Sequence, residues 1–334
     1  MGLAVSVGLL AWALHDVSFT DVITHVQRAN VALLAATVIL ATLTFPIRAL
    51  RWRVLLRDPA GRPLPLAALW DATAIGFMAN NLLPARAGEF ARAWVASRRT
   101  PVRFTTVLGS IGVERVFDAL TMLGLMAVAI AAPSFPRDAM VGGVSLVHVA
   151  IVGAIVFGAA LVVAVIVVVN PAPWLRLLDA IAQRLLPQRF AVRVRSAIEG
   201  LVDGLAVLRS PSRFAGVVAW SLVLWLVNAA SFAVCFRAFG LPVPIEGALL
   251  LQGIIGFGVA VPSSPGYVGV FEVATKLTLG IYAIDAGRAL SYALTYHFTT
   301  FVPIILLGFW SLSRSRLHLA ELRQPPPQPA SEPA

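Results

Sequence analysis

Long apolar runs dominate the chain and predict membrane-spanning helices. The clearest run covers 144–169, and the runs at 214–236 and 290–312 are nearly as strong. A spanning helix needs roughly 18 or more predominantly apolar residues. We therefore predict spans at about 1–15, 31–50, 104–132, 144–169, 214–239 and 289–312. The expected fold class is all-α, a polytopic membrane protein with about six full spanning helices.

Two further apolar regions, 65–95 and 247–284, are interrupted by polar residues, Gly and Pro. The first contains FMANNLLPARAGEFARAW and the second PSSPGYVGVFE. Each region contains Ile-Gly-Phe, from Ile75 and from Ile255, and then supplies a Pro, a Gly and a Glu. These are Pro84, Gly88 and Glu89 in one region and Pro265, Gly269 and Glu272 in the other. This similarity predicts an inverted repeat of two re-entrant helical hairpins, an arrangement that many transporters use. Ordinary Gly and Pro helix packing is the open alternative.

The arginines predict the topology. The formal net charge is +10, and Lys276 is the only lysine. Arginine is concentrated in 51–63, 86–103, 170–213 and the C-terminal tail, and such segments are cytoplasmic as a rule. The first interrupted region then enters and leaves from the cytoplasm, and the second from the outer side. We expect a multi-pass protein of the cell (inner or plasma) membrane with both termini cytoplasmic.

A single domain is expected over 1–315, with repeat units at about 31–132 and 214–312. The stretch 171–213 is predicted to form a cytoplasmic amphipathic connector, although a plain linker fits its second half equally well. The Pro-rich tail, 316–334, is expected to be disordered.

Three ionisable residues, Glu114, Arg115 and Asp118, lie inside the third predicted span. Each charge near the bilayer centre costs roughly 2.5–3.5 kcal/mol, so the three should face the protein interior and be paired. The expected partners are Arg48, Asp71, Arg86, Glu89 and Arg92, with Glu272 and Lys276 from the second hairpin.

Two roles compete for these charges. They either lock the hairpin with ion pairs or bind an anionic headgroup, and we expect a mixture. Arg86 and Arg92 are the candidates for phosphate contact, because a guanidinium bonds phosphate bidentately. The predicted substrate-binding residues are Asn80, Asn81, Pro84, Arg86, Gly88, Glu89, Arg92, Glu114, Arg115, Asp118, Pro265, Gly266, Gly269 and Glu272.

Other chemistry lacks a sequence signal. Cys235 is the only cysteine, and no histidine pair has metal-ligand spacing. Walker A, Rossmann and GxSxG patterns are absent from the sequence. We therefore expect no cofactor, no catalytic residue, no metal and no enzymatic activity. The basic charge suits anionic lipids better than nucleic acid in so apolar a chain.

The segments RALRWRVLL, GFMANNLLPARAGEFARAW, VERVFDAL and PSSPGYVGVFE resemble the lysylphosphatidylglycerol synthase transmembrane region family, also called flippase-like or UPF0104 proteins. The resemblance covers about residues 5–315. In the family's best-known members this membrane domain moves an aminoacylated phospholipid between leaflets, and the resemblance does not extend that substrate to this chain. The chain ends shortly after its last predicted span, so the resemblance implies a stand-alone domain without the synthase domain.

The expected function is a lipid translocase that binds an anionic or lipid-linked phosphate headgroup in a central cavity. The alternative is an accessory subunit or membrane-embedded transferase of envelope lipid or lipid-linked sugar metabolism. The expected partners are membrane lipids, either anionic phospholipid or polyprenyl-phosphate-linked, with a homo-oligomer or a separate lipid-modifying enzyme as further candidates.

Overall fold

The computed structural model describes residues 2–136 and 210–315, apart from 16, 84–86 and 260–263, together with scattered positions between 140 and 195. Its helices are α1 Gly2–Leu14, α2 Phe19–Arg28, α3 Val31–Leu55, α4 Leu66–Leu82, α5 Ala87–Arg99, α6 Phe104–Ala131, α7 Pro211–Ala238, α8 Ile245–Gly258, α9 Val270–Ile281 and α10 Ala286–Ser315. A 3₁₀ turn covers Pro265–Tyr267. Strands β1 Met140–Val141 and β2 Val144–Ser145 form a two-residue antiparallel hairpin.

The all-α membrane class is confirmed. Helices α3, α7 and α10, of 25, 28 and 30 residues, are long and apolar enough to cross a bilayer. Helix α6 has 28 residues but carries the three charges of the third predicted span. Large apolar side chains remain exposed, such as Ile39 at 65% and Phe298 at 71%, as lipid contact requires.

One predicted span fits less closely, and three other predicted segments are not fully described. Helix α1, over the first predicted span, has only 13 residues. The predicted span at 144–169 and the connector at 171–213 are described only at scattered positions, and the tail 316–334 lies outside the described residues.

Helices α3 and α7 pack antiparallel along the middle of the bundle. At one end, Arg213 at the start of α7 donates to the Leu55 carbonyl at 2.8 Å. At the other end, the Asn30 amide donates to the Ala238 carbonyl at 2.9 Å. These two contacts define the opposite ends of the bundle.

The first hairpin consists of α4 and α5, and its two open ends lie together. Asp71, near the start of α4, pairs with Arg99, the last residue of α5. Arg53, at the end of α3, donates to the Leu64 carbonyl at 3.1 Å. The first hairpin therefore opens at the Leu55 end of the bundle.

The second hairpin consists of α8 and α9 and opens at the other end. A Cβ on Gly247, at the start of α8, would lie 3.2 Å from the ring of Tyr282, which ends α9. Arg288, near the start of α10, donates to the Gly240 carbonyl beside the end of α7 at 2.9 Å. The two hairpins therefore enter the bundle from opposite ends, as the inverted repeat predicts.

Packing between the halves is reciprocal. Helix α4 of the first hairpin packs against α10, and α8 of the second hairpin packs against α6. The two apolar clusters also mix the halves: the one near Trp52 includes Leu312 of α10, and the one near Phe236 includes Met126 of α6. This exchange is the pattern expected of two units related by a two-fold axis, and the repeat boundaries themselves remain a prediction.

Candidate functional site

A buried ion cluster joins α3, α5 and α6. Arg51 donates to Asp118 at 2.5 Å and lies 2.8 Å from Glu114. Arg92 donates through both Nη atoms to the two Glu114 oxygens, at 3.1 and 2.9 Å. Its guanidinium carbon lies 3.8 Å from the centre of the Trp52 ring. The predicted pairing of the α6 carboxylates is thus present in the structure.

Arg51 was not among the expected partners, because the predicted span ended at residue 50 and placed it in a cytoplasmic loop. Helix α3 instead continues to Leu55, and the Arg51 side chain is 1% exposed. Burial of this guanidinium places it against both Glu114 and Asp118, where it offsets part of their charge.

Arg92 does not reach the cavity described below. Its Nη atoms bond Glu114 and its face stacks on Trp52, so it holds α5 against α3 and α6. Arg115 is more open, with a side chain 40% exposed. It lies 3.4 Å from Asp118 and 3.9 Å from Glu89.

Among the residues that the structure describes, the cluster has more positive than negative groups. Four guanidinium groups face three carboxylates when every group is ionised: Arg48, Arg51, Arg92 and Arg115 against Glu89, Glu114 and Asp118. Arg48 has the weakest pairing, 4.0 Å from Asp118. The excess charge is therefore located at Arg48.

Arg48 lines a cavity of about 250 Å³ between the two hairpins. Its guanidinium lies 4.9 Å from the centre of the Phe77 ring and 5.3 Å from that of Trp225. Arg48 is only 8% exposed, and its Nη1 atom has no hydrogen-bond partner among the described residues. A buried guanidinium with a free donor is costly unless an acceptor binds it.

Amide side chains from both hairpins line the same cavity. Asn81 comes from the first hairpin and Gln252 from the second, and each has an amide nitrogen without a partner in the described part of the chain. Asn228 on α7 donates to the Gln252 oxygen at 3.2 Å. With Arg48, the cavity therefore presents several unused N–H donors and suits a ligand rich in oxygen acceptors.

The other predicted residues of the first hairpin are structural or undescribed. Asn80 accepts a hydrogen bond from the Gly88 amide at 2.9 Å and so closes the hairpin. A Cβ on Gly88 would lie 2.0 Å from the Gly76 carbonyl oxygen, which explains the glycine. Pro84 and Arg86 lie outside the described residues, so the phosphate contact assigned to Arg86 stays a prediction.

Two expected partners of the cluster, Asp71 and Lys276, lie elsewhere. Asp71 pairs with Arg99 and Arg314, tying α4 to α5 and α10. Lys276 donates to the Ala13 carbonyl at 3.1 Å, on the side of α1. These positions follow from the hairpin geometry, because each side chain lies at an open end or on an outer face.

The second hairpin supplies its predicted residues in a different arrangement. Gly266 lines the cavity within the turn Pro265–Tyr267. Glu272 accepts from the Gly269 amide at 2.6 Å and lies 2.7 Å from His297 Nδ1. Glu272 is therefore the partner of a histidine and not of the ion cluster, contrary to the sequence-based expectation.

The sequence analysis did not predict the amides Asn228 and Gln252 of the cavity, among other lining residues, and assigned Arg48 only to ion pairing. A signal was present for the amides, because they lie in the apolar runs WLVNAASF and LLLQGII. Polar groups at such positions face a cavity or a partner as a rule.

With this geometry in view, comparisons with known proteins establish the family. Residues 1–308 match the family described as Lysylphosphatidylglycerol synthase TM region. The chain belongs to this family. The predicted resemblance is confirmed, and the chain is a multi-pass membrane protein. The specific membrane and the orientation of the termini remain predictions.

Two relatives of this family member are archaeal proteins. The chain is 30% identical to Glycosyltransferase AglD of Haloferax volcanii over 93% of its own length and 53% of AglD. It is 23% identical to UPF0104 membrane protein MJ1078 of Methanocaldococcus jannaschii over 69% of its own length and 90% of that protein. The chain thus spans about half the length of AglD.

The AglD match corrects one expectation. The absence of nucleotide, metal and hydrolase motifs led us to expect no enzymatic role. A relative that is similar across nearly the whole chain carries the name of a glycosyltransferase, and this overturns that expectation. Motif absence was a weak guide, because membrane-embedded sites are not limited to the motifs of soluble enzymes.

Proposed function

We propose that the chain is a membrane module of lipid-linked sugar metabolism that binds a phosphate-bearing lipid headgroup in the cavity between its hairpins. Its role is to hold that headgroup for a glycosyl-transfer reaction which consumes or forms the lipid-linked sugar. The name of AglD supports the class of reaction. The structure of the cavity supports the class of ligand.

The observation that carries this proposal is the weak pairing of Arg48, which lines the cavity and whose Nη1 atom lies 4.0 Å from Asp118 and has no hydrogen-bond partner among the described residues. The surrounding cluster already has an excess positive charge, so the group that completes Arg48 should be an anion. Phosphate fits, since a guanidinium donates two parallel hydrogen bonds to it. Asn81 and Gln252 add neutral donors for the remaining phosphate or sugar oxygens.

The size of the cavity suits a lipid headgroup and not a whole lipid. The volume of about 250 Å³ lies just below the range of about 300–1,000 Å³ for small-molecule sites. Aromatic side chains line the wall, including Trp225, Phe271 and Tyr296. Such rings provide apolar surface for the first carbons of a lipid or a sugar face.

The test is lipid binding by the full chain in nanodiscs, with polyprenyl phosphate, polyprenyl-phosphate hexose and the uncharged polyprenol of equal length as probes. We expect the two phosphates to bind at least about tenfold more tightly than the alcohol. Arg48→Leu should remove this preference. Arg62→Leu is the matched control, since the Arg62 side chain is 76% exposed at the surface.

Equal binding of the alcohol and the phosphates would contradict the proposal, as would phosphate binding to Arg48→Leu at wild-type strength. With a diacyl phosphatidic acid as a further probe, tighter binding of the hexose-linked phosphate would support the assignment to lipid-linked sugars. The reverse preference would contradict that assignment and limit the ligand to anionic phospholipid.

Translocation of the lipid is a second candidate function. Both hairpins contribute to the cavity wall, Asn81 from one and Gly266 and Tyr267 from the other. Because the hairpins enter from opposite ends, this arrangement favours translocation. Its test is the movement of a labelled polyprenyl phosphate between leaflets of liposomes. Wild-type protein that binds the lipid without moving it would rule this function out.

A further inference from the structure

Both ring nitrogens of His297 face oxygen atoms. Nδ1 lies 2.7 Å from Glu272 Oε1, and Nε2 lies 2.8 Å from the Gly266 carbonyl oxygen. A neutral imidazole has one N–H group and one lone pair. If Glu272 is ionised and His297 is neutral, one of these two contacts brings a nitrogen lone pair against an oxygen lone pair at hydrogen-bond distance.

One additional proton resolves the conflict in either of two ways. It charges His297, which then donates from both nitrogens, or it neutralises Glu272, which then donates to Nδ1 while Nε2–H donates to Gly266. Both forms hold the same number of protons. The geometry therefore requires one proton more than a neutral histidine and an ionised carboxylate hold when they are apart.

Glu272 is fixed on its other side as well. Its Oε2 accepts from the Gly269 amide at 2.6 Å and so caps the start of α9. The side chain is 2% exposed. The nearby Lys276 is turned to α1 and bonds the Ala13 carbonyl, so it does not neutralise this carboxylate. The carboxylate and the imidazole thus form a closed pair.

His297 connects this pair to the turn of the second hairpin. Gly266 has a φ of +69°, a conformation that other residues rarely adopt, and its carbonyl oxygen is held by Nε2. A Cβ on Gly266 would lie 3.6 Å from the Asn81 carbonyl oxygen of the first hairpin. The turn therefore forms the cavity wall where the two hairpins meet.

We propose that Glu272 and His297 together bind one proton, which holds the turn Pro265–Tyr267 against the cavity, and that release of this proton frees the turn. The turn is held at low pH, when the proton is bound, and is loosened as the pH rises and the proton leaves. This proposal does not depend on which headgroup the cavity binds.

The proton-binding unit is the Glu272–His297 pair, and not the other ionisable groups around His297. The groups that line the same cavity are Arg48 on α3, Tyr267 in the turn and Tyr296 on α10. In the described part of the chain, α4, α7 and α8 offer the cavity only neutral polar groups: Asn81, Asn228 and Gln252. The rings packed on His297 are Phe271 and Phe301, with centroids at 4.6 and 5.9 Å.

Glu272→Gln provides a variant that imitates the protonated pair. The glutamine oxygen accepts from the Gly269 amide, and its NH₂ group donates to Nδ1 of a neutral His297. Nε2–H then donates to the Gly266 carbonyl, and every hydrogen bond is kept without a proton that can leave. His297→Phe removes both contacts and keeps an aromatic ring.

The test is hydrogen exchange, measured by mass spectrometry, of the backbone amides in 264–271 in the full chain in nanodiscs, from about pH 5 to about pH 9, the range in which an ordinary histidine titrates. Comparison with Glu272→Gln at each pH cancels the intrinsic pH dependence of exchange. We expect wild type and Glu272→Gln to be equally protected at the lowest pH. At the highest pH, wild type should lose protection by on the order of tenfold relative to the variant. His297→Phe should be unprotected throughout.

Equal protection of wild type and Glu272→Gln at every pH would overturn the proposal, because the proton would then have no effect on the turn. The comparison of these two proteins decides the outcome even if His297→Phe fails to fold. It needs no lipid ligand, so a failure of the headgroup test above would leave this result standing, and the reverse also holds.

Discussion

At the scale of single residues, two buried arginines of the same protein have opposite environments. Arg92 is 1% exposed, pairs through both Nη atoms with Glu114 and stacks on Trp52, and its Nε lacks a hydrogen-bond partner among the described residues. Arg48 is 8% exposed and keeps an unused donor in the cavity. Removal of a paired buried charge destabilises a fold, whereas removal of a poorly paired one relieves a desolvation cost. We therefore expect a structural role for Arg92 and a ligand-binding role for Arg48.

We predict that Arg92→Leu lowers the free energy of unfolding by about 3 kcal/mol, since Glu114 loses its bidentate partner and Trp52 its stacked cation. Arg48→Leu should leave the thermal midpoint unchanged or raise it, while it abolishes the preference for phosphate lipids. Thermal unfolding of both variants in one detergent measures the contrast. Equal destabilisation by the two substitutions would show that Arg48 is a structural ion-pair partner.

Residue spacing predicted only part of this site. Glu114 and Asp118 are four residues apart, which places them on one helix face, and both indeed face the ion cluster. Arg51 was not predicted as a partner of the cluster, because the rule applied to the sequence places arginines at the ends of spans in the cytoplasm. That rule counts charges and carries no information about which of them a long side chain pairs with inside the bundle.

At the scale of elements, Gly and Pro in the two interrupted regions predicted the hairpins well. The second region, predicted at 247–284, corresponds to α8 and α9 with the turn between them. The sequence could not predict how closely the helices of each hairpin approach. In the first hairpin, Gly76 and Gly88 bring the backbones of α4 and α5 into direct contact. Such proximity depends on the packing of both helices together.

We predict that Gly88→Ala disrupts the first hairpin, because its Cβ would lie 2.0 Å from the Gly76 carbonyl oxygen and the backbone must shift. The expected loss of stability is about 2 kcal/mol or more. Gly124→Ala is the control: Gly124 lies inside α6, and nothing is within 4 Å of the position that its Cβ would take. Similar thermal midpoints for the two variants would contradict the close approach.

At the scale of the whole molecule, the halves are joined by contacts that run from each hairpin to the last helix of the other half. Asp71 of α4 bonds Arg314 near the end of α10 at 2.5 Å. Gly256 of α8 lies against Met122 of α6. Because of this exchange, neither half closes the cavity alone. Movement of one hairpin therefore changes the walls that both contribute.

The opposite entry of the hairpins leads to a prediction about membrane sides. Arg62 precedes α4 and Arg98 lies in the last turn of α5, both exposed at the Leu55 end of the bundle. Pro242, between α7 and α8, is exposed at the other end. Cysteines placed singly at these positions should react with a membrane-impermeant maleimide from one side for 62 and 98, and from the opposite side for 242.

Cys235 is buried, so the wild-type chain should label weakly and serves as the background. Right-side-out and inside-out vesicles should give reciprocal labelling, with 62 and 98 reactive from the cytoplasmic side if the arginine distribution fixes the orientation. If 62 and 98 react from different sides, α4 and α5 cross the membrane once and the hairpin is not re-entrant. The cavity would then no longer lie between two hairpins from opposite faces, and the basis for translocation would be lost, whereas a phosphate site at Arg48 would remain testable by binding alone.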